Sequence, residues 1–382
     1  MAGSALWDAS TDTDYAELTN FTPEQQPGNG DTLTLDGNEV SGLPDTNLLV
    51  AGTLSLLITG AYDGAFTANH IVAAAFLGTV TINNAAARME ILGGGAVEPA
   101  TYVITAGELF NFGNVISSAV TLNGADAALT AASGTYGGAV TDGGAGGNIY
   151  LPSGSTTTFS NITLGTVVLN LDGNSAPVGN FTGSITAYAD DTGPRRITGD
   201  VTNLGTVDSS IDAETLTFDG AFAKRGSVTG HASGEIVVTG AFSSNNAGSV
   251  TNFHLRLTGA GGTTFSQPYG GSDAITSITV DAAANLSMSG NTRCKKFTLE
   301  SGGVVIAASA AHDLNVTGPL ANDFLDIAGS YTVGTMSLDS YDNGRTNSGT
   351  VACDGIFTAS ASDGYVLTQS GPVAVGGWVQ KG

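Results

Sequence analysis

Leu216-Thr-Phe-Asp-Gly-Ala-Phe222 is followed by Ile236-Val-Val-Thr-Gly-Ala-Phe242 and then by Leu255-Arg-Leu-Thr-Gly-Ala260. The three segments begin 20 and 19 residues apart (216 to 236 to 255). In each, large apolar residues flank a central position, and a Thr-Gly or Asp-Gly turn pair follows. In a strand, successive side chains point to opposite faces, so Leu216 with Phe218, and Ile236 with Val238, share one side. A second element keeps the same period: Gly165-Thr-Val, Gly183-Ser-Ile-Thr, Gly205-Thr-Val, Gly226-Ser-Val-Thr and Gly248-Ser-Val-Thr, at spacings of 18, 22, 21 and 22. Two features on one period make coincidence a poor explanation of either.

Weaker copies run outward in both directions. Upstream lie Gly52-Thr-Leu-Ser-Leu, Ile58-Thr-Gly-Ala and Gly78-Thr-Val-Thr-Ile. Downstream lie Ser277-Ile-Thr-Val, Phe297-Thr-Leu, Leu314-Asn-Val-Thr-Gly, Gly334-Thr-Met-Ser-Leu and Gly349-Thr-Val. A repeat of roughly 20 residues built from short alternating strands is the signature of a solenoid. The prediction is an all-β fold, a parallel β-helix or β-solenoid with rungs of roughly 20 residues and distinct terminal caps. Gly and Asn belong at its corners, where φ > 0 is often required. The competing architecture is an array of β-sandwiches, whose strands recur every 8–12 residues or so.

Composition agrees with strands. Gly is 55 of 382 residues and Pro only 10, while 41% of the chain is hydrophobic, which excludes collagen, a proline-rich linker and a disordered chain. Lys and Arg number 11 against 34 Asp and Glu, a net charge of −23. That charge repels phosphate backbones and anionic lipids, so neither nucleic acid nor membrane is an expected partner. It also keeps a Gly-rich β surface from adhering to itself. No run of apolar residues is long enough to span a bilayer. Met1 to Asn20 has no basic start and no apolar core, so no signal peptide is read there. The two cysteines, Cys294 and Cys353, form no disulfide framework; they are either free or paired across rungs.

The ends differ from the middle. Residues 1–38 hold Trp7, Tyr15, Phe21, Pro23 and Pro27, and read as an N-terminal cap or docking arm. Residues 39–364 form the solenoid, and 365–382, which carry Val373, Val375 and Trp378, read as a C-terminal cap or docking tail. Trp7, Phe21 and Trp378 are therefore the candidate docking residues.

Chemistry-bearing clusters are few. Asp190-Asp-Thr-Gly-Pro-Arg-Arg-Ile-Thr-Gly-Asp200 places acids and arginines within one rung, and paired carboxylates serve glycoside cleavage. The plainer reading is a charged loop in which Arg195 or Arg196 pairs with a neighbouring acid. His70, His231, His254 and His312 lack metal-ligand spacing, although His231 and His254, 23 apart, are placed to stack on adjacent rungs. Gly93–Gly95 and Gly143–Gly147 lack the Lys-Ser/Thr of a phosphate loop. No cofactor, metal or catalytic residue is expected, and the chain is read as a non-enzyme.

The lead ending in Asn20-Phe21, followed by Pro27-Gly-Asn-Gly-Asp-Thr-Leu-Thr-Leu35, resembles the opening of bacteriophage and environmental-bacterial β-helix proteins. There an Asn-Trp, a Pro and a Gly-Asp-Thr-Val run precede a Gly- and Thr-rich solenoid; here Phe21 stands in place of the Trp. The resemblance implies a virion structural protein made in the host cytoplasm, a capsid decoration or cement protein bound to the major capsid protein or another virion protein. It also implies a homo-oligomer, a lateral trimer by analogy with solenoids of this kind. The alternative is a tail fibre or adhesin binding host glycans through Tyr188, Tyr269 or Tyr331. A polysaccharide-degrading β-helix enzyme is the third reading.

Overall fold

The structure, a computed structural model, describes residues 4–7, 21–23, 30–36, 55–59, 63–67, 78–92, 100–152, 155–172, 181–188, 195–210, 213, 215–245, 247–259, 263–267, 275–307, 313–317, 325–327, 330–332, 335–340, 345–347, 351–361, 367–369 and 373–381. Among them, all regular structure is β-strand. The strands pair in parallel with partners about one period away, so the chain is a β-solenoid, as its repeat predicts. It divides into two compact units, residues 1–186 and 187–382.

In the first unit one column of inward side chains runs Ala5, Leu33, Leu56, Val80, Tyr102, Val120, Val140 and Ile162, each in register with the next. All are buried. A second column runs Met89, Leu109, Leu129, Ile149 and Leu169. The residues between them point outward, so strands such as Thr32–Leu35 and Ala119–Leu122 alternate partly exposed with buried. On a third face Tyr136 stacks on Phe159 at 5.0 Å, and Phe159 meets Phe181 edge-on at 6.0 Å. The buried Tyr136 hydroxyl accepts from Asn111 Nδ2 at 3.2 Å, which satisfies two polar groups inside the core. At the start of this unit Ser4–Trp7 lies between two partners. It pairs in parallel with Thr32–Leu35 and antiparallel with Phe21–Thr22.

The second unit has three strand columns. The first stacks Arg195–Ile197, Leu216–Phe218, Ile236–Val238, His254–Leu257 and Ile275–Val280. The second stacks Val201, Phe222, Phe242 and Phe265, continuing to Met288. The third holds Val207, Val228 and Val250, the valines of the Gly-Ser/Thr-Val element. Phe222 and Phe242 sit 5.9 Å apart, and Phe253 meets both edge-on. Asn252, at φ 47, is the one described non-glycine residue in the left-handed region, and it precedes the buried Phe253.

Close stacking also explains glycine. A Cβ on Gly240 would lie 2.3 Å from the backbone of Gly220 one rung earlier, so the Thr-Gly turn admits no side chain there. Gly248 combines φ +71 with an equally close approach to Gly226.

Two interior positions break the apolar pattern. Arg195 occupies the inward site stacked on Leu216, and Lys224 the site between Asn203 and Ser244; both cations are fully buried. Lys224 Nζ donates to the Ala247 carbonyl at 2.7 Å, which ties the turn before Gly248 to the core.

The register also separates the cysteines. Cys294 aligns with Val316, Val316 with Leu338, and Leu338 with Ala359 of the strand that holds Cys353. Three rung steps of about 4.8 Å each exceed any disulfide span. Cys294 is a free, buried thiol, and burial pushes its pKa up. In a Cys353→Ser background, a thiol reagent should leave the native protein unlabelled and label it fully in denaturant; rapid native labelling would place Cys294 at the surface. Phe242→Ala removes the centre of the aromatic column and should cost about 3–5 kcal/mol. The shift of the urea midpoint measures it, and Phe242→Leu should shift it less.

Candidate functional site

The candidate docking residues lie within the sheet ladder. Trp7 is in register with both Leu35 and Phe21, and Trp378, in Val373–Lys381, is in register with Phe357. Of the tyrosines, Tyr188 ends the strand Phe181–Tyr188, Tyr331 pairs with Val305, and Tyr269 lies outside the described residues.

The arginine-and-acid loop does not form a carboxylate pair in the described part. Asp190 lies outside the described residues. Arg195 is turned into the core, whereas Arg196, one residue on, is exposed and forms an ion pair with Asp219 of the next rung. Asp200 accepts from the Ala221 amide at 2.7 Å, bracing the next corner. These contacts match the charged-loop reading, in which an arginine pairs with a neighbouring acid.

The densest polar cluster lies on the outer side of the first column of the second unit. Arg256 Nε donates to Glu235 at 2.9 Å, and its Nη1 reaches Glu300 at 2.9 Å and Asp281 at 3.4 Å. Glu235 belongs to the preceding rung; Asp281 and Glu300 follow the next two strands of the column. One guanidinium thus clamps four successive rungs, because its planar fork presents donors in several directions. The hydrogen bond to Glu235, then that to Glu300, raises the Arg256 pKa further against the cost of burial.

His254 stands beside this clamp. Register places Glu235, not His231, next to it, so the two histidines do not stack. His231 instead folds onto Ser233 within its own turn, at 3.0 Å. His254 Nδ1 meets the Ser277 hydroxyl at 2.8 Å, and the ring also bonds to the Ala232 backbone. Partial burial lowers the pKa of His254, a shift that Glu235 opposes. His70 and His312 lie outside the described residues. Among the described residues no group of His, Cys, Asp and Glu is arranged to hold a metal ion.

A different kind of surface stands out on the first unit. Phe112 and Val115 of the strand Thr101–Ile116, and Tyr150 of the strand Asn148–Leu151, are 45%, 56% and 40% exposed. None of the three was singled out by sequence. Phe110-Asn-Phe112 shows the alternation that would aim both rings outward, but a run of aromatics within a repeat reads first as core.

No family model, no curated protein and no solved structure matches the chain.

The depressed pKa of His254 has a definite sign. The folded state holds the imidazole neutral, so stability is present above the ordinary value of 6.5 and is lost as pH falls below it. Stability measured between pH 7 and pH 5 should fall less steeply in His254→Gln than in the parent. Parallel curves would remove His254 from the pH dependence.

Proposed function

We propose that the chain is a non-catalytic structural protein of a virion, a β-solenoid that decorates the capsid and associates with copies of itself. The observation that carries this reading is how the exposed charged groups are used. Arg88, Arg196 and Arg256 are each paired with acids one or two rungs away. Side chains held in this way brace the ladder and are poorly placed to exchange protons with a substrate.

The opening sequence supports the virion assignment. The Gly30–Leu35 run that resembles phage β-helix proteins enters the first described parallel pairing, with Thr32–Leu35 on Ser4–Trp7. The excess of acids would limit adhesion between rigid β surfaces crowded on a shell. A decoration role requires neither cofactor nor active site.

The reading is tested on the virus that carries the gene. Peptide mass spectrometry of purified particles should find the chain in a fixed ratio to the major capsid protein, and stripped capsids should rebind it to saturation. Its absence from purified particles would refute the assignment.

A further inference from the structure

We propose that the corner formed by Arg293, Lys295 and Lys296 in the second unit binds a phosphate group, with the Arg293 guanidinium and the Lys295 ammonium as its main contacts. This goes beyond the virion assignment and does not rest on it.

Sequence and strand geometry put the cations together. Arg293-Cys-Lys-Lys296 gathers three of the chain's 11 Lys and Arg into four residues. All belong to the strand Asn285–Leu299. Thr292, Cys294 and Phe297 of that strand are fully buried. Arg293 and Lys295, on either side of Cys294, therefore both point outward. Their backbones are about 7 Å apart along the strand, a gap that two long side chains close around one small ion. Lys295 and Lys296 are two outward residues in succession, which breaks the alternation and marks a corner before Phe297 turns in again. Lys296 adds its charge from the far side of that corner.

These cations are not used as the others are. Arg88, Arg196 and Arg256 are each held by acids. Among the described residues, Arg293 and Lys295 form no ion pair and no side-chain hydrogen bond. Arg293 Nε is buried as well, and meets no acceptor there. A buried donor on a charged group is costly without an acceptor, and a bound ion supplies one. Register gives the cations neutral neighbours. Asn315 lies beside Arg293 on the next rung, and Ser277 beside Lys296 on the preceding one.

The chemistry selects the ligand. A guanidinium presents a planar fork that matches two oxygens of a phosphate, and an ammonium is a compact point charge for a third. Phosphate approaches a dianion at neutral pH and above, so it answers several cations at once. A carboxylate, with a single charge, is the weaker match. Long polyanions are opposed by the −23 of the whole chain, whereas one small group feels far less of that repulsion. The ligand is thus a phosphate, as the free ion or as the end of a small ester.

The test is isothermal titration calorimetry of the full chain at pH 8 and constant ionic strength, with inorganic phosphate, glycerol 1-phosphate and acetate as probes. At least one of the two phosphates should bind saturably, one per chain, and more tightly than acetate. Whichever of the two binds more tightly names the source, free ion or ester. Arg293→Gln and Lys295→Gln should each weaken binding about tenfold, or about 1.4 kcal/mol. Arg196→Gln, a cation of another rung, should leave it unchanged. Circular dichroism and thermal melting of the variants should match the parent, since these side chains stand outside the core. The proposal is overturned if neither phosphate binds saturably, if acetate binds as tightly, if the Arg293→Gln, Lys295→Gln double variant binds like the parent, or if Arg196→Gln weakens binding as much. Particle composition reads the virion assignment separately, so either result leaves the other standing.

Discussion

In-register parallel pairing of the backbone is the constraint from which the rest of this protein follows. Each amide bonds to the rung beside it, so each side chain sits about 4.8 Å from its counterpart one period away. Residues cannot choose neighbours freely under that rule. An inward site must be filled by something compatible with the sites before and after it, which is why Leu33, Leu56 and Val80 form a file and Phe222, Phe242 and Phe265 another. The same rule squeezes the corners. Where one turn lies directly over another, as Gly240 lies over Gly220, even a methyl group has no room.

The ladder's demands explain the exceptions as well. A cation at an inward site is costly unless polar groups meet it. Lys224 stands in a short polar file with Asn203 and Ser244 and reaches a carbonyl of a neighbouring turn. On the outer surface the scarcity of cations matters more. With 11 Lys and Arg against 34 acids, carboxylates outnumber cations about threefold, and two of the arginines gather more than one. Arg88 takes two and Arg256 three, so positive charge is distributed as cross-rung fasteners within an acidic surface.

Much of this was legible before any coordinates. The Leu216, Ile236 and Leu255 segments stack in the order their spacing implies, and the Gly-Ser/Thr-Val element forms its own column through Val207, Val228 and Val250. Legibility failed where a motif matched in letters but not in phase. Leu314-Asn-Val-Thr-Gly looks like a copy of Leu255-Arg-Leu-Thr-Gly, yet it pairs with Thr292–Cys294, and the first column is continued by Leu325-Asp-Ile327. Corner lengths vary, so counting residues loses track of which side of the rung a strand occupies. Contacts between side chains were harder still. The partners of Arg256 lie 21, 25 and 44 residues away, and only the register brings them together. Arg195 and Arg196 are adjacent and chemically identical, and strand alternation alone sends one inward and the other out.

The short antiparallel strand Phe21–Thr22 gives the first unit a polarity that its repeat lacks. A stack of parallel rungs is a template that any further parallel strand could extend, including one from another copy. The reversal gives the pair Ser4–Trp7 with Phe21–Thr22 the alternating close and wide bonds of an antiparallel ladder, where the pair Ser4–Trp7 with Thr32–Leu35 has even, slanted ones. Phe21–Thr22 covers Leu6 and Trp7 with only two residues, and so short a strand offers a further strand little to pair with.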